Sequence, residues 1–168
     1  MCWEKAGRRR MHNHKDHTDR ASVKIHPPVL LALHIFIAWL LGMAIALPFK
    51  VPPIFSNVGL GLAGLGFLFG ALALYEFRKA RTTVDPHGSV KTIVSKGIYR
   101  FTRNPIYLGM ACMLLGFPLT FGNVWGIVLT PVFILLMNSL VIQHEEAYLE
   151  KKFGDVYAGY KSRVRRWI

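Results

Sequence analysis

A chain of 168 residues has room for one domain, and one that is 52% hydrophobic and 18% charged has too little polar surface to enclose its apolar part as a soluble core. Its formal net charge of +12 invites a nucleic-acid partner, but the basic residues flank long apolar runs and would meet anionic lipid headgroups first, so nucleic acid is set aside. Two cysteines, Cys2 in a polar segment and Cys112 inside an apolar run, do not make a disulfide framework.

In chain order, residues 1–26 form a basic tail with His12, His14, His17 and His26, read as disordered and solvated. No acidic or cysteine partner stands at metal-ligand spacing, so no metal is expected. Residues 27–168 form the membrane domain. Pro27-Pro28 opens a first helix, and Val29 to Phe49 has His34 as its one strongly polar member, read as a satisfied packing residue. The run starts too far into the chain, and is too long, for the apolar part of a secretory signal.

Val58 to Tyr75 is a second uncharged run. Gly59-Leu60-Gly61-Leu62-Ala63-Gly64 matches a dinucleotide fingerprint by letter, yet that fingerprint works as a turn between strand and helix, not inside a membrane run. Gly66 and Gly70 continue it with the spacing that lets helices approach in lipid, so helix packing is the reading. The loop from Glu76 to Arg103, with Asp85-Pro86-His87-Gly88 in it, is too long for a simple connection. Ile106 to Phe121 and Val124 to Ile142 are the third and fourth runs, joined by a tight turn at Gly122-Asn123. The fourth helix is expected to continue to Phe153 and stop at Gly154, before a final helix capped by Asp155. Val156, Tyr160, Val164 and Trp167 fall on one face of it, flanked by Arg163, Arg165 and Arg166, which suits a helix lying in the interface. The expected fold is thus all-α and integral to the membrane: four transmembrane helices, a cytoplasmic cofactor pocket and a C-terminal interfacial helix. Twenty of the 21 Lys and Arg lie on one side of those four spans, Lys50 being the exception, which places both termini in the cytoplasm, as in a bacterial inner membrane.

The chemistry concentrates in two polar islands. Gly97-Ile98-Tyr99-Arg100-Phe101-Thr102-Arg103-Asn104-Pro105-Ile106-Tyr107 precedes the third run, and His144-Glu145-Glu146 follows the fourth. Asn104-Pro105 reads as a helix start, with an N-cap side chain and a proline at the first helical position. Such a terminus attracts an anion, and Arg100 and Arg103 stand beside it. Adjacent glutamates on a helix point about 100° apart, so Glu145 and Glu146 serve different partners. Because helices three and four form a hairpin, the Arg103-Asn104 cap and the Glu145-Glu146 pair must face each other. A small ligand with an anionic end and a cationic centre fits between them. S-adenosylmethionine has that form; on these residues alone, so would a phosphorylated nucleotide.

Residues 82–168 resemble the isoprenylcysteine carboxyl methyltransferase and phospholipid methyltransferase family of membrane enzymes. The resemblance runs in order through Thr83 to Pro86, Lys91-Thr92-Ile93-Val94, Gly97-Ile98-Tyr99-Arg100, Arg103 to Gly109, Glu145-Glu146, Phe153-Gly154 and Tyr157 to Tyr160, with Asn104 at a usual histidine. It implies a four-helix methyltransferase that uses S-adenosylmethionine on a small or lipid-like acceptor, a carboxylate or an amine, at the cytoplasmic face. Cofactor contacts would come from Lys91, Thr92, Ile93, Val94, Tyr99, Asn104, Pro105, Ile106, Tyr107 and Glu145, and catalytic roles fall to Arg103 and Glu146. The partner implied is a lipid or lipophilic small molecule. Prenylcysteine-processing members carry a substrate-facing arginine one turn before the acid, where this chain has Val141. Two other readings stay open: a nicotinamide-dependent membrane reductase, since sterol reductases share a similar C-terminal half, and a non-catalytic membrane interaction protein using the Gly66–Gly70 face.

Overall fold

A computed structural model describes residues 25–45, 51–80 and 92–168, and every regular element among them is helical. Residues 1–24 of the histidine-bearing tail, Lys50 and the end of the first apolar run, the Asp85-Pro86-His87-Gly88 segment and Lys91 lie outside the described residues. Helix α1 spans Pro27–Ala44, α2 Pro53–Lys79, α3 Pro105–Thr120, α4 Trp125–Met137, α5 Gln143–Phe153 and α6 Asp155–Lys161. Prolines at the first positions start α1, α2 and α3, where a missing N–H leaves no bond unmade.

Between α4 and α5 the backbone passes through a π-turn, Asn138–Ile142, without breaking the helix, so Trp125–Phe153 is one 29-residue rod. At 1.5 Å per residue it is about 43 Å long and outruns a hydrocarbon core of roughly 30 Å. Among the described residues, three helices are long and apolar enough to cross a membrane: Pro27–Ala44, Pro53–Lys79 and Trp125–Phe153. The third expected span, α3, is a 16-residue helix, below that length. Only 22% of the α1 window and 17% of the α2 window is buried, and the outward residues include Phe36, Trp39, Leu60 and Phe67. Apolar surface on that scale requires lipid around it, which makes this a multi-pass membrane protein.

The core lies where α1, α3 and the long rod meet, around Leu30, Ala111, Leu114, Phe133, Met137, Val141 and Ile142. His34 is buried there as a packing residue, its Nδ1 2.8 Å from the Leu30 carbonyl and its ring edge-on to Phe133. Asn123 secures the opposite end: its amide donates to the Ala38 carbonyl at 2.8 Å and its Oδ1 accepts from the Trp125 N–H at 2.9 Å.

Helix α2 joins this core through α3 alone among the larger helix contacts, and does so by backbone. Its buried residues, Gly59, Gly66 and Ala73, are seven apart, as are Gly109 and Gly116 of α3. A Cβ on Gly109 would lie 2.6 Å from the Gly66 carbonyl oxygen, and one on Gly116 would lie 2.5 Å from that of Gly59. The expected close approach at Gly66 and Gly70 is there in part: Gly66 lies in a seam with Gly59 and Ala63, and the Gly70 nitrogen borders it, 3.4 Å from a Cβ placed on Gly109, whereas a Cβ on Gly61, Gly64 or Gly70 would meet nothing within 4 Å. The contacts fall at Gly59 and Gly66 on one helix and at Gly109 and Gly116 on the other. Close contact recurs every second turn, so a heptad rather than a four-residue spacing marks it.

The final helix also departs from expectation. Gly154, with φ of +50°, turns the chain sharply and itself occupies the N-cap position, leaving Asp155 in the first turn with no cap bond. Helix α6 stops at Lys161 and turns Tyr157 and Tyr160 inward, while Val156 is 70% exposed. Val164 and Trp167 lie beyond it, in a segment folded back over the start of α3.

Candidate active site

The first polar island is built as a short 3-10 turn, Gly97–Arg100, followed by an irregular stretch to Asn104. Gly97 has φ of +58°, a conformation that favours glycine, and a Cβ there would make the Glu76 side chain shift. Tyr99 is buried edge-on against Phe77, and its carbonyl accepts a 2.8 Å hydrogen bond from the Tyr160 hydroxyl. Burial pushes the Tyr160 phenol well above its usual range, which keeps it a donor across neutral pH. Arg100 is exposed, as a side chain reaching for headgroups would be.

Asn104 occupies the N-cap position of α3, but the expected cap bond is absent. Its side-chain amide instead donates to the Arg166 carbonyl at 2.9 Å. Thr102, also buried, accepts from the Asn104 N–H and donates to the same carbonyl, both at 3.2 Å. The Arg103 N–H donates to the Arg165 carbonyl at 3.0 Å. These bonds tie the Arg165 and Arg166 carbonyls to the start of α3, and residues 162–168 accordingly fold back over it rather than continuing as an interfacial helix.

The two islands meet through two separate pairs, as the 100° offset requires. The Tyr107 hydroxyl donates to Glu145 Oε1 at 2.6 Å. One residue on, Glu146 is 6% exposed and lies between two guanidinium groups. Arg166 makes a forked pair with it, Nη2 to Oε2 at 2.6 Å and Nε to Oε1 at 3.1 Å. Arg103 approaches from the other side, Nη1 3.1 Å from Oε1, with its side chain 9% exposed. That approach is an ion pair without hydrogen-bond alignment. Among the described residues, the buried Nε and Nη1 groups of Arg103 have no hydrogen-bond acceptor. Burial pushes the nearby Tyr157 phenol up to about 12, with Glu146 adding to the rise and Arg103 opposing it.

The structure thus brings together Tyr99, Arg103, Asn104, Tyr107, Glu145 and Glu146, with Pro105 fully buried and Ile106 packed beside the core. It does not join Thr92, Ile93 or Val94 to them by any hydrogen bond or ion pair among the described residues. Thr92 is exposed and the other two are partly buried. Arg166, Trp167 and Asn138 belong to the site's framework yet carried no such signal: Trp167 Nε1 donates to Asn138 Oδ1 at 3.2 Å, beside the π-turn. A π-turn in a long helix is itself a common mark of a functional site.

Fold and site together define a helical membrane protein with a charge-paired, partly unsatisfied polar site at one end of its bundle. Comparison with known proteins makes this more specific. The model of the phospholipid methyltransferase family matches residues 55–156, and the chain belongs to that family. It is 44% identical over 63 residues to an uncharacterized protein of Haemophilus influenzae, a match covering 38% of this chain and 100% of that one. It is also 36% identical over 72 residues to the protein-S-isoprenylcysteine O-methyltransferase of Schizosaccharomyces pombe, covering 43% of this chain. The match spans 30% of the length of the S. pombe enzyme.

Proposed function

We propose that this chain transfers a methyl group from S-adenosylmethionine to a lipid or lipophilic small molecule at the cytoplasmic face of the membrane. The observation that carries the reading is Arg103: a buried guanidinium whose Nε and Nη1 make no aligned hydrogen bond, Nη1 being held only as an ion pair 3.1 Å from Glu146, beside a carboxylate–phenol pair. A buried donor without a partner costs about 1–3 kcal/mol, more when charged, so the arrangement is built for an incoming anion. A ligand with a carboxylate at one end and hydroxyl or ammonium donors elsewhere fits this set. When bound, S-adenosylmethionine supplies a sulfonium-activated methyl, which bonds to the acceptor's lone pair as the thioether leaves with the electron pair.

The chain's own part is to hold and align. Arg103 receives the carboxylate and Glu146 orients Arg103. Glu145, fixed by Tyr107, accepts from the ligand's donors. Tyr99, Asn104, Pro105 and Ile106 shape the wall, and Thr92, Ile93 and Val94, with Lys91 before them, would close it. Val141 is fully buried one turn before Glu145, so no charge faces the acceptor from that position. This favours a lipophilic acceptor whose reacting group is not a prenylcysteine carboxylate.

Glu145→Gln should weaken S-adenosylmethionine binding roughly ten- to a hundredfold, the loss of one charged hydrogen bond. Glu150→Gln should change it little, because Glu150 sits in an exposed pair with Lys161. Calorimetry on detergent-purified protein compares the two; equal effects would make the acidic pair mere helix surface. Product identity would follow from labelled methyl transfer into a total lipid extract.

The reading includes four spans, α3 crossing with help from its flanking loops, and residues 1–26 and 154–168 in the cytoplasm. Phe121 and Phe101 are 74% and 75% exposed at opposite ends of α3. Phe121→Cys should react with a membrane-impermeant maleimide from outside, and Phe101→Cys only after permeabilisation. The reverse pattern would overturn the topology.

A further inference from the structure

The segment that follows α6 makes more contacts with the site than its place in the chain would require. The Arg165 and Arg166 carbonyls accept from Arg103, Thr102 and Asn104, and Trp167 donates to Asn138. Trp167 also packs against the core. Between these anchors the Arg166 guanidinium reaches Glu146 with two hydrogen bonds, one to each carboxylate oxygen. The family match ends at residue 156, so this segment lies outside it.

The charges explain what the segment does. Glu146 and Arg103 alone would form a neutral buried pair, and a carboxylate with both oxygens available would turn onto the guanidinium in the forked geometry that suits both groups. Arg103 would then have committed one edge of its guanidinium, two of its five N–H groups, to Glu146. Instead Arg166 holds both oxygens of Glu146, and Arg103 is left at 3.1 Å, attracted but unaligned, with Nε and Nη1 unaccepted. The cluster of two arginines and one glutamate carries one positive charge in excess, which a single carboxylate would neutralise.

We propose that Arg166 is a positioning residue: by occupying Glu146 it keeps Arg103 open for the anionic end of the ligand. The inference rests on the functional reading above, and it assigns the 162–168 segment to the site rather than to the membrane interface. Arg166 acts through Glu146 and not by touching the ligand. Its effect must therefore depend on that carboxylate being present.

The test is S-adenosylmethionine affinity, by calorimetry on the detergent-purified full chain, in a double-mutant cycle. Arg166→Ala should weaken binding roughly tenfold or more, because the freed carboxylate captures Arg103. Arg166→Lys should also weaken it, since one ammonium cannot hold both oxygens in parallel, although the charge is unchanged. In a Glu146→Gln background, adding Arg166→Ala should leave affinity where the first change put it, for no carboxylate remains to capture Arg103. If Arg166→Ala aggregates, Arg166→Lys carries the same comparison in both backgrounds. Parent-like binding by Arg166→Lys overturns the inference, as does an equal loss from Arg166→Ala with and without Glu146. The latter would mean that Arg166 acts on the ligand directly. A parent chain that binds no S-adenosylmethionine overturns the functional reading and this inference with it.

Discussion

Glu146→Gln should lower the unfolding midpoint of the purified protein more than any other single change in the polar cluster. It leaves two guanidinium groups side by side where one carboxylate held both. Removing one partner of a buried ion pair costs about 3–5 kcal/mol because the other is left uncompensated. The lower end applies here. The Arg166 side chain is 33% exposed and can turn to water, whereas that of Arg103, at 9%, cannot. About 3 kcal/mol corresponds to a drop of roughly 6–12 °C for a chain of this size. Arg166→Ala should cost less, since the Glu146–Arg103 pair it leaves is neutral. Thermal unfolding followed by circular dichroism in one detergent gives the ranking. If Glu146→Gln and Arg166→Ala melt together with the parent, the cluster is not closed from water and its charges count for little.

Gly66→Val should prevent α2 from docking. A Cβ there would overlap the Gly109 carbonyl oxygen and lie 2.7 Å from Met113 Cγ, so one contact is with backbone that cannot turn aside. The helices would have to part along their length, because the neighbouring contact of Gly59 with Gly116 and Thr120 is equally close. Gly70→Val, on the same helix and with the same added bulk, should be tolerated, since its side chain enters open space. The expected result is loss of a monodisperse peak in size-exclusion chromatography for the first variant and a parent-like profile for the second. Comparable profiles would mean that α2 is held by something other than this seam. The contrast also bears on the open possibility of a non-catalytic interaction protein, because the Gly66 face is occupied within the chain.

What could be read from the residues alone follows from how local each signal is. Apolar length marks α1, α2 and the Trp125–Phe153 rod, because the membrane acts on every residue of a span at once. The facing of Tyr107 and Arg103 toward Glu145 and Glu146 followed from a tight hairpin and a 100° step, both local geometry. The glycine seam was half legible. Composition showed that α2 packs closely, but the partner's Gly109 and Gly116, seven apart, decide which glycines touch. The 162–168 segment was misread for a different reason. Val164, Trp167 and their flanking arginines have the composition of an interfacial helix, while the fold uses the carbonyls of Arg165 and Arg166, and a backbone acceptor has no letter in the sequence. Asn104 does stand at the N-cap position of α3, but the partner of its side chain is hidden for the same cause: a side chain that caps and one that donates to a distant carbonyl look alike until that carbonyl is placed.

The π-turn at Asn138–Ile142 sets the rotational phase of everything after it. A regular α-helix advances 100° per residue, and a turn that fits one additional residue delays the following helix by about that angle. Phe133 and Met137, before the turn, face the core, and Glu146, after it, faces Arg103. Excising one residue from the turn would leave the apolar length and the order of the motif nearly unchanged. It would also swing Glu145 away from Tyr107 and carry Glu146 out from between its two arginines. The spacing between an apolar span and its acidic pair is therefore counted in degrees as well as in residues, and a sequence comparison that admits a one-residue gap here would join two chains whose carboxylates point to different places.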